Sequence, residues 1–343
     1  MCKCDNLEWV FATNVRATFA RMITVSILAL KNAVLASIAD SRYVFTMANE
    51  FLRQAKKPPL FKIQLIGISK DVPLNDGLFS LHPDVTLKEG NNTNLIIIPS
   101  LSGDMKSSVY LNKEYVSWIA DQYKNGTEIA SLCTGAFLLA YSGLLRGKQC
   151  TTHWLYANEL KHIYPSIKVV DEKMITDQHG LYSSGGSNAY WNLLLHLVEK
   201  YSGREMAIRL AKYFVIDLNR SVQSPFIIFD GLKDHEDELI KKIQEKIERS
   251  YRKKLTVEEL ADEFNMSRRT FERRFKKATR NTVTEYIQRV KVEAAKKQLE
   301  LGRKSVSEVM NDVGYVDIQT FRSVFKRITG MTLVDYRNKY NAR

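Results

Sequence analysis

The sequence is poor in cysteine and has no long uninterrupted hydrophobic run. Four cysteines in 343 residues are too few for a disulfide framework, and such sparse use is typical of a reducing cytoplasm. The most apolar stretch, residues 23–39, is interrupted by Lys31 and Asn32 and falls short of the roughly 18 apolar residues that a membrane helix needs. No Cys and His residues have the spacing of a closed metal site. We therefore expect a cytoplasmic protein without membrane segment, metal or cofactor.

Acidic residues are outnumbered, and the excess of positive charge is concentrated at one end of the chain. The formal net charge is +13, with 51 basic and 38 acidic residues. Residues 236–343 contain 26 of the basic and 17 of the acidic residues, a net charge of +9. A basic region of this kind suits the neutralisation of nucleic-acid phosphates. From charge alone, a solvated basic surface is the alternative interpretation.

Short apolar runs alternate with amphipathic stretches over the first two thirds of the chain. The runs at 23–30, 61–69, 94–99 and 127–132 predict strands, and the stretches at 34–56, 112–124, 134–142, 187–201 and 204–214 predict helices. This alternation predicts an α/β sandwich with a parallel sheet. We expect residues 1–21 to be an extension outside the fold, residues 22–216 to form the α/β domain, residues 217–235 to be a linker, and residues 236–343 to form an all-α domain.

The all-α region contains an internal repeat. Two capping boxes, TVEE at 256–259 and SVSE at 305–308, lie 49 residues apart. The next helix starts, Ser267 and Asp317, are 50 residues apart, so the second turn is one residue longer. Two short helices joined by a tight turn, occurring twice, predict a tandem helix-turn-helix, with units at 256–279 and 305–329. A long helix over 283–301 is expected to hold the two units apart.

In each second helix, phenylalanines spaced four residues apart mark the buried face. The opposite face is expected to read DNA, because Arg pairs with guanine and Gln with adenine in the major groove. The predicted base-reading residues are Arg268, Arg269, Glu272, Arg273, Ile318, Gln319, Arg322 and Ser323. The residues predicted to contact phosphates, which position a protein without reading sequence, are Lys276, Lys277, Lys326 and Arg327. A helical bundle with a charged exterior is the alternative. Since the first face is richer in Arg, we expect the two half-sites to differ.

Residues 255–337 closely resemble the DNA-binding domain of the AraC family of transcription regulators. The matching motifs are LTVEELADEFNMSRRTFERRFKKAT, the pattern Arg289…Ala294-Ala295…Leu299, and VGYVDIQTFRSVFKRITGMT followed by DYR. The resemblance implies binding to two half-sites of double-stranded DNA in a bacterial cytoplasm, with RNA polymerase as a candidate partner if the protein is an activator. Arg280 stands where the family usually has Gly, as at Gly330, and a positive φ at this helix end would be strained.

The segment ASLCTGAFLLA places Cys133 at the predicted junction of a strand and a helix. Such an elbow holds a side chain at the carboxyl edge of a sheet, and a helix N-terminus is expected to lower the pKa of the thiol. With NLIIIPS before it and GLLRGKQCTTHW after it, the segment resembles the flavodoxin-like fold of PfpI-type, class I glutamine amidotransferase-like proteins. This domain ahead of an AraC module resembles the GlxA-type branch of AraC regulators.

Catalysis by Cys133 would need a partner group within hydrogen-bond reach. Enzymes of this superfamily often carry a His directly after the Cys, whereas this chain has Thr134, and residues 30–35 (LKNAVL) lack the carboxylate that many of them carry after the first strand. We therefore predict no catalytic residues. Cys133 is interpreted as part of an effector pocket, with an inert cysteine or a catalytic one as alternatives. The other predicted pocket residues are Thr134, Ser100, His153, Gly185 and Gly186.

The sequence thus predicts a ligand-responsive, sequence-specific transcription regulator that forms a homodimer. The resemblance suggests a nitrogenous metabolite as the small-molecule effector. The alternative is a PfpI-like cysteine enzyme, namely an amidase, hydratase or glyoxalase, with a DNA-binding appendage. A third hypothesis, a non-specific nucleoid protein, is disfavoured by the two base-facing helices.

Overall fold

The computed structural model describes residues 22–90, 92–218, 222–233 and 235–341. The predicted extension over residues 1–21 lies outside this part of the chain. Among the described helices, none combines the length and apolar character needed to cross a membrane.

Eleven short strands are found in the described residues of the first two thirds of the chain. They are β1 (Ile23–Leu28), β2 (Phe61–Gly67), β3 (Val72–Leu74), β4 (Phe79–Leu81), β5 (Val85–Thr86), β6 (Leu95–Ile98), β7 (Glu128–Ser131), β8 (Gln149–Cys150), β9 (Lys168–Val169), β10 (Ile175–Gln178) and β11 (Leu181–Ser184).

Seven of these strands form one sheet in the order β10-β11-β7-β6-β1-β2-β5. Neighbouring strands are parallel except β10 and β11, which form an antiparallel pair at one edge. All four side chains of β6 are buried, as expected for a parallel strand whose sheet is covered on both faces. Because β6, β7 and β11 are adjacent and parallel, the residues that follow them meet at one edge of the sheet.

The helices alternate with these strands and then continue alone to the C-terminus. They are α1 (Leu35–Gln54), α2 (Met105–Leu111), α3 (Glu114–Lys124), α4 (Ala136–Tyr141), α5 (Ala157–Ile163), α6 (Ala189–Ser202), α7 (Arg204–Phe214), α8 (Glu238–Ser250), α9 (Val257–Glu263), α10 (Arg268–Thr279), α11 (Val283–Leu301), α12 (Val306–Asp312), α13 (Ile318–Thr329) and α14 (Leu333–Tyr340). The predicted fold class, a parallel α/β domain followed by an all-α tandem helix-turn-helix, is confirmed.

One helix of the α/β domain was not predicted. The helix expected over 112–124 is α3, which begins at Glu114, and the separate helix α2 precedes it. The side chain of Asp104 caps α2 by accepting a hydrogen bond from the backbone N–H of Ser107 at 2.8 Å. The antiparallel pairs β3–β4 and β10–β11 also escape the sequence patterns, because these strands are only three or four residues long.

The repeat folds into two helix-turn-helix units, α9 with α10 and α12 with α13. Both capping boxes form in full, at Thr256 with Glu259 and at Ser305 with Glu308. Each unit has its own apolar core, and α11 contributes to both. Its buried side chains include Val283, Tyr286 and Ile287 in the first core, and Val292, Ala295 and Leu299 in the second.

Helix α10, the second helix of the first helix-turn-helix unit, ends in a strained conformation. Arg280 has φ +60° and Gly330, its counterpart in the repeat, has φ +72°, so the positive φ expected from the sequence is confirmed. A side chain in this left-handed region costs about 1 kcal/mol that glycine avoids.

We expect Arg280→Gly to raise the free energy of unfolding of the helical region by about 0.5–1 kcal/mol, because glycine relieves this strain. The measurement is urea unfolding of the full chain followed by far-ultraviolet circular dichroism. Arg280→Ala is the matched control, since it removes the charge and keeps a Cβ. If Arg280→Ala raised the free energy of unfolding by the same amount, the effect would be due to the lost charge and not to relief of strain.

Candidate ligand pocket and DNA-reading surface

Cys133 follows β7 in a backbone conformation that a non-glycine residue seldom adopts. Its φ is +53°, and a helical turn over Cys133–Gly135 leads from it into α4. Its backbone N–H donates to Ser184 Oγ at 3.1 Å, and its carbonyl accepts from Thr152 Oγ1 at 2.9 Å. Such a conformation persists only where the surrounding structure fixes it, and here hydrogen bonds from two neighbouring segments hold Cys133.

The expectation of a lowered pKa for Cys133 is wrong. Burial raises the pKa of the thiol, against the opposing effect of hydrogen bonds from the Ser100 hydroxyl and from backbone N–H groups including that of His153. The side chain is almost fully buried, and removal from water disfavours a thiolate more than these donors stabilise it. The thiol is therefore protonated at neutral pH.

Ser100 and Thr134 form a buried network next to the elbow. Their hydroxyls lie 3.0 Å apart, and Thr134 Oγ1 also accepts from the backbone N–H of Leu101 at 2.8 Å. These bonds tie the segment after β6 to the elbow after β7. Both hydroxyls are thereby engaged in holding the sheet edge together.

A cavity of about 220 Å³ opens beside the elbow, beyond the end of β11. Two predicted pocket residues, His153 and Gly186, line it. Cys133, Thr134, Ser100 and Gly185 are not among the residues that line it. The lining residues are His153, Trp154, Met174, Gly186, Ser187, Asn188, Ala189, Gln223 and Phe226.

His153 presents a neutral ring to this cavity. Burial lowers its pKa, so the ring is uncharged at neutral pH. Nδ1 accepts a hydrogen bond from the backbone N–H of Leu155 at 3.1 Å, which leaves the proton on Nε2. The ring edge lies near Gly186, where an added Cβ would be 3.9 Å from Nε2. The cavity therefore has one neutral N–H donor on this wall.

Sequence reasoning missed Gln223, which belongs to the predicted linker. Its side chain is buried inside the α/β domain, where Oε1 accepts from the backbone N–H of Gly186 at 2.9 Å. Nε2 donates to the carbonyl of Thr152 at 3.0 Å and reaches the carbonyl of Lys173 at 3.3 Å. A Cβ on Gly185 would lie 2.5 Å from Gln223 Oε1, so a glycine is needed for this approach.

The linker residues after Gln223 contact the helical domain. Phe226 lines the cavity and packs edge-on against Tyr340 of α14, with ring centroids 6.3 Å apart. The carbonyl of Ile227 accepts from the ammonium of Lys296 in α11. Phe229 packs against Tyr286 at 5.1 Å. One short segment therefore forms part of the cavity wall and part of the surface on which α11 and α14 rest.

The reading face of α10 is exposed, but one of its arginines is engaged. The guanidinium of Arg268 forms ion pairs with Glu258 of α9 and with Glu272. Arg269 and Arg273 are exposed, as are Glu272, Lys276 and Lys277. Arg268 would have to leave its two carboxylates to reach a base.

One predicted base-reading residue of α13 is less exposed than expected. Ile318 is half-exposed and packs against the second core, because its aliphatic side chain gains free energy by leaving water. Gln319, Arg322, Ser323 and Lys326 are exposed. Arg327 donates to Gln288 of α11 at 2.5 Å. Val316, almost fully exposed ahead of the helix, is an additional apolar group on this surface.

Family models match both parts of the chain. Residues 50–200 match the DJ-1/PfpI family, and residues 260–339 match a helix-turn-helix domain.

In the described residues, no group of three His, Cys, Asp or Glu side chains is arranged to hold a metal ion.

Known proteins resemble either the whole chain or its first domain. The HTH-type transcriptional regulator GbdR of Pseudomonas aeruginosa is 25% identical over 92% of this chain and 84% of its own length. The isonitrile hydratase of Pseudomonas putida is 28% identical over 42% of this chain and 62% of its own length. A crystal structure of a putative transcriptional regulator protein from Vibrio parahaemolyticus covers 57% of this chain and all of its own, with a TM-score of 0.51 and 23% identity, which shows the fold. The chain joins a DJ-1/PfpI domain to an AraC-type helix-turn-helix domain, the domain composition of a DNA-binding transcription regulator.

Proposed function

We propose that this regulator changes its DNA binding when a small molecule occupies the cavity beside Cys133. In this proposal, residues 22–216 form the effector and dimerisation domain, residues 217–235 the linker, and residues 236–343 the DNA-binding domain. The observation that carries it is the double role of Phe226, which lines the cavity and packs against Tyr340. A ligand that displaces this ring alters a contact with the helical domain, and allosteric coupling requires such a differential contact.

The cavity lining supports a small nitrogenous metabolite as the effector. Asn188 offers an amide group, and Trp154 and Phe226 offer aromatic rings, which attract cationic nitrogen. Although the ammonium of Lys339 lies 4.9 Å from the centroid of the Phe226 ring, none of the described residues that line the cavity is a Lys or Arg.

We further propose that the chain acts as a homodimer in the bacterial cytoplasm. Exposed apolar side chains on α1, α7 and the residue after α7, namely Tyr43, Tyr213 and Val215, supply a surface that a second copy could cover. Two tandem units per protomer would then engage paired sites. RNA polymerase is a candidate partner, and transcription assays on a selected promoter would distinguish activation from repression.

An enzymatic role for Cys133, the alternative function, has one relative in its favour, the isonitrile hydratase matched by the first domain. The raised pKa and burial of the thiol disfavour it, since the thiolate is the nucleophile. We therefore propose that Cys133 supports the sheet edge rather than a reaction.

The effector proposal predicts a ligand that alters DNA affinity through the linker. Amines, amino acids and nucleotides are screened by thermal shift on the full chain, where a ligand at 100-fold its Kd adds about 2.7 kcal/mol. That ligand should change the Kd for a selected operator by at least about fivefold. The Tyr340→Ala variant should still bind the ligand. The ratio of its operator Kd values with and without ligand should, however, be close to one.

The control for this experiment is Tyr110→Ala, which alters an exposed ring on α2 outside the cavity and the linker. It should behave as the unmodified chain. An undiminished effect of the ligand in Tyr340→Ala, or a screen without any stabilising compound, would contradict the proposed coupling.

The exposed arginines of α10 are expected to read bases. Arg269→Ala and Arg273→Ala should each cost about 1–3 kcal/mol at a single base-pair position, since a bidentate contact to guanine is lost. Arg268→Ala should cost less, because its guanidinium already has carboxylate partners. Lys276→Ala is the control for phosphate contact and should weaken all sequences alike, with the salt slope reduced by about one. Binding is measured on single-position operator variants.

Cys133 is expected to react slowly with iodoacetamide at pH 8. Burial and a raised pKa leave little accessible thiolate, so its rate, followed by mass spectrometry of the digested chain, should lie well below that of free cysteine. Cys133→Ser should leave operator binding unchanged. Alkylation faster than free cysteine, or turnover of an isonitrile that Cys133→Ser abolishes, would favour the enzyme instead.

A further inference from the structure

We propose that Lys291 is a positioning residue that fixes the spacing and angle between the two helix-turn-helix units, and thereby the spacing of the DNA half-sites. Lys291 lies in the middle of α11 and is 6% exposed. Its ammonium donates to the carbonyls of Val313 at 2.8 Å, Gly314 at 3.1 Å and Lys253 at 3.3 Å.

Two of these carbonyls belong to the second unit, and the third belongs to the segment that leads into the first unit. Lys253 lies between α8 and α9, three residues before Thr256, the N-cap of the first unit. Val313 is the C-cap of α12, and Gly314 begins the turn that leads into α13. An ammonium has three donors, and Lys291 uses one on the segment that precedes the first unit and two on the second unit. The bond therefore joins the entry of one unit directly to the turn of the other.

The backbone that precedes the first unit touches the turn of the second unit at the same place. A Cβ on Gly314 would lie 2.2 Å from the carbonyl oxygen of Arg252 and 2.8 Å from Nζ of Lys291. The ring of Tyr315 stands 5.4 Å from that ammonium, within the range of a cation–π contact. This packing leaves no room for a side chain at Gly314, so the two units meet in one tight arrangement.

Burial of the Lys291 ammonium costs free energy. We therefore infer that Lys291 holds the two units in one arrangement rather than adding to stability. Burial lowers the pKa of Lys291 to about 8, which shows that the site disfavours the charge. An apolar residue would avoid this cost, but it would leave the carbonyls of Val313 and Gly314 without the donor that holds them. The best-supported role of such buried polar groups in proteins is to select one arrangement of packed elements over others.

A fixed arrangement of α10 and α13 restricts the DNA that can bind both helices at once. Successive major-groove sites lie about 10–10.5 base pairs apart, so one inserted base pair rotates the second half-site by about 35°. If the units cannot adjust, the inserted operator engages only one helix. A looser joint would tolerate the insertion.

The experiment uses the full chain and an operator selected by it from random duplexes. Kd is measured for this operator, for versions with one base pair added or removed between the half-sites, and for each half-site alone. The unmodified chain should lose at least about tenfold on either spacing change. Lys291→Met should bind each half-site within about twofold of the unmodified chain, lose about tenfold on the intact operator, and distinguish the three spacings by less than about threefold.

Lys296→Met is the matched control, because Lys296 is equally buried in the same helix. Its ammonium contacts Glu293 and the linker carbonyl of Ile227 instead, so this variant should keep the full spacing preference. The proposal is overturned if the unmodified chain tolerates the insertions, if Lys291→Met keeps the preference, or if Lys291→Met weakens the single half-sites as much as the operator.

If Lys291→Met does not fold, the Lys291→Gln variant tests the proposal instead. Its amide retains two donors and should give an intermediate spacing preference, whereas a full preference would overturn the proposal. None of these outcomes depends on an effector, so they are distinct from a failure of the ligand hypothesis.

Discussion

A buried side-chain amide is the constraint on which the connection between the two domains depends. Gln223 lies on the linker, yet its amide bonds to Gly186 and Thr152 inside the α/β domain. An amide taken out of water must keep its hydrogen bonds or lose several kcal/mol, so this linker residue is held at one place. Phe226, three residues later, is consequently held at the cavity and against Tyr340. The same stretch is also held through its backbone, because the N–H of Gln223 donates to the carbonyl of Glu172 at 2.9 Å, so the cavity and the DNA-binding helices are joined by a segment of defined path.

The sequence was sufficient to predict the features that depend on interactions between residues close together in the chain. The capping boxes, the buried phenylalanines and the positive φ at Arg280 follow from hydrogen bonds and sterics within a few residues, and the parallel sheet follows from continuous apolar runs. Ile318 was expected to be fully exposed and is half-exposed, because helical spacing alone does not show how closely the first residue of a helix packs against the neighbouring core.

The pocket was predicted less well because its walls come from distant segments. The elbow at Cys133 was located, but the expected effect of a helix terminus on its thiol was outweighed by burial. Gln223 and Phe226 carried no sequence signal for a pocket, since their segment lacks periodicity and their partners are 37 and 114 residues away at Gly186 and Tyr340. Such contacts are set by tertiary packing alone.

The shared ammonium of Lys291 also has a consequence for how the C-terminal region opens. Two separate apolar cores would ordinarily behave as two units of local unfolding, each with its own amide-exchange rate. Here the loss of one core would strand a buried charge beneath the other, which raises the cost of opening either core alone. We therefore expect the two halves of the repeat to exchange their amide hydrogens as one cooperative unit, although the sequence presents them as duplicates.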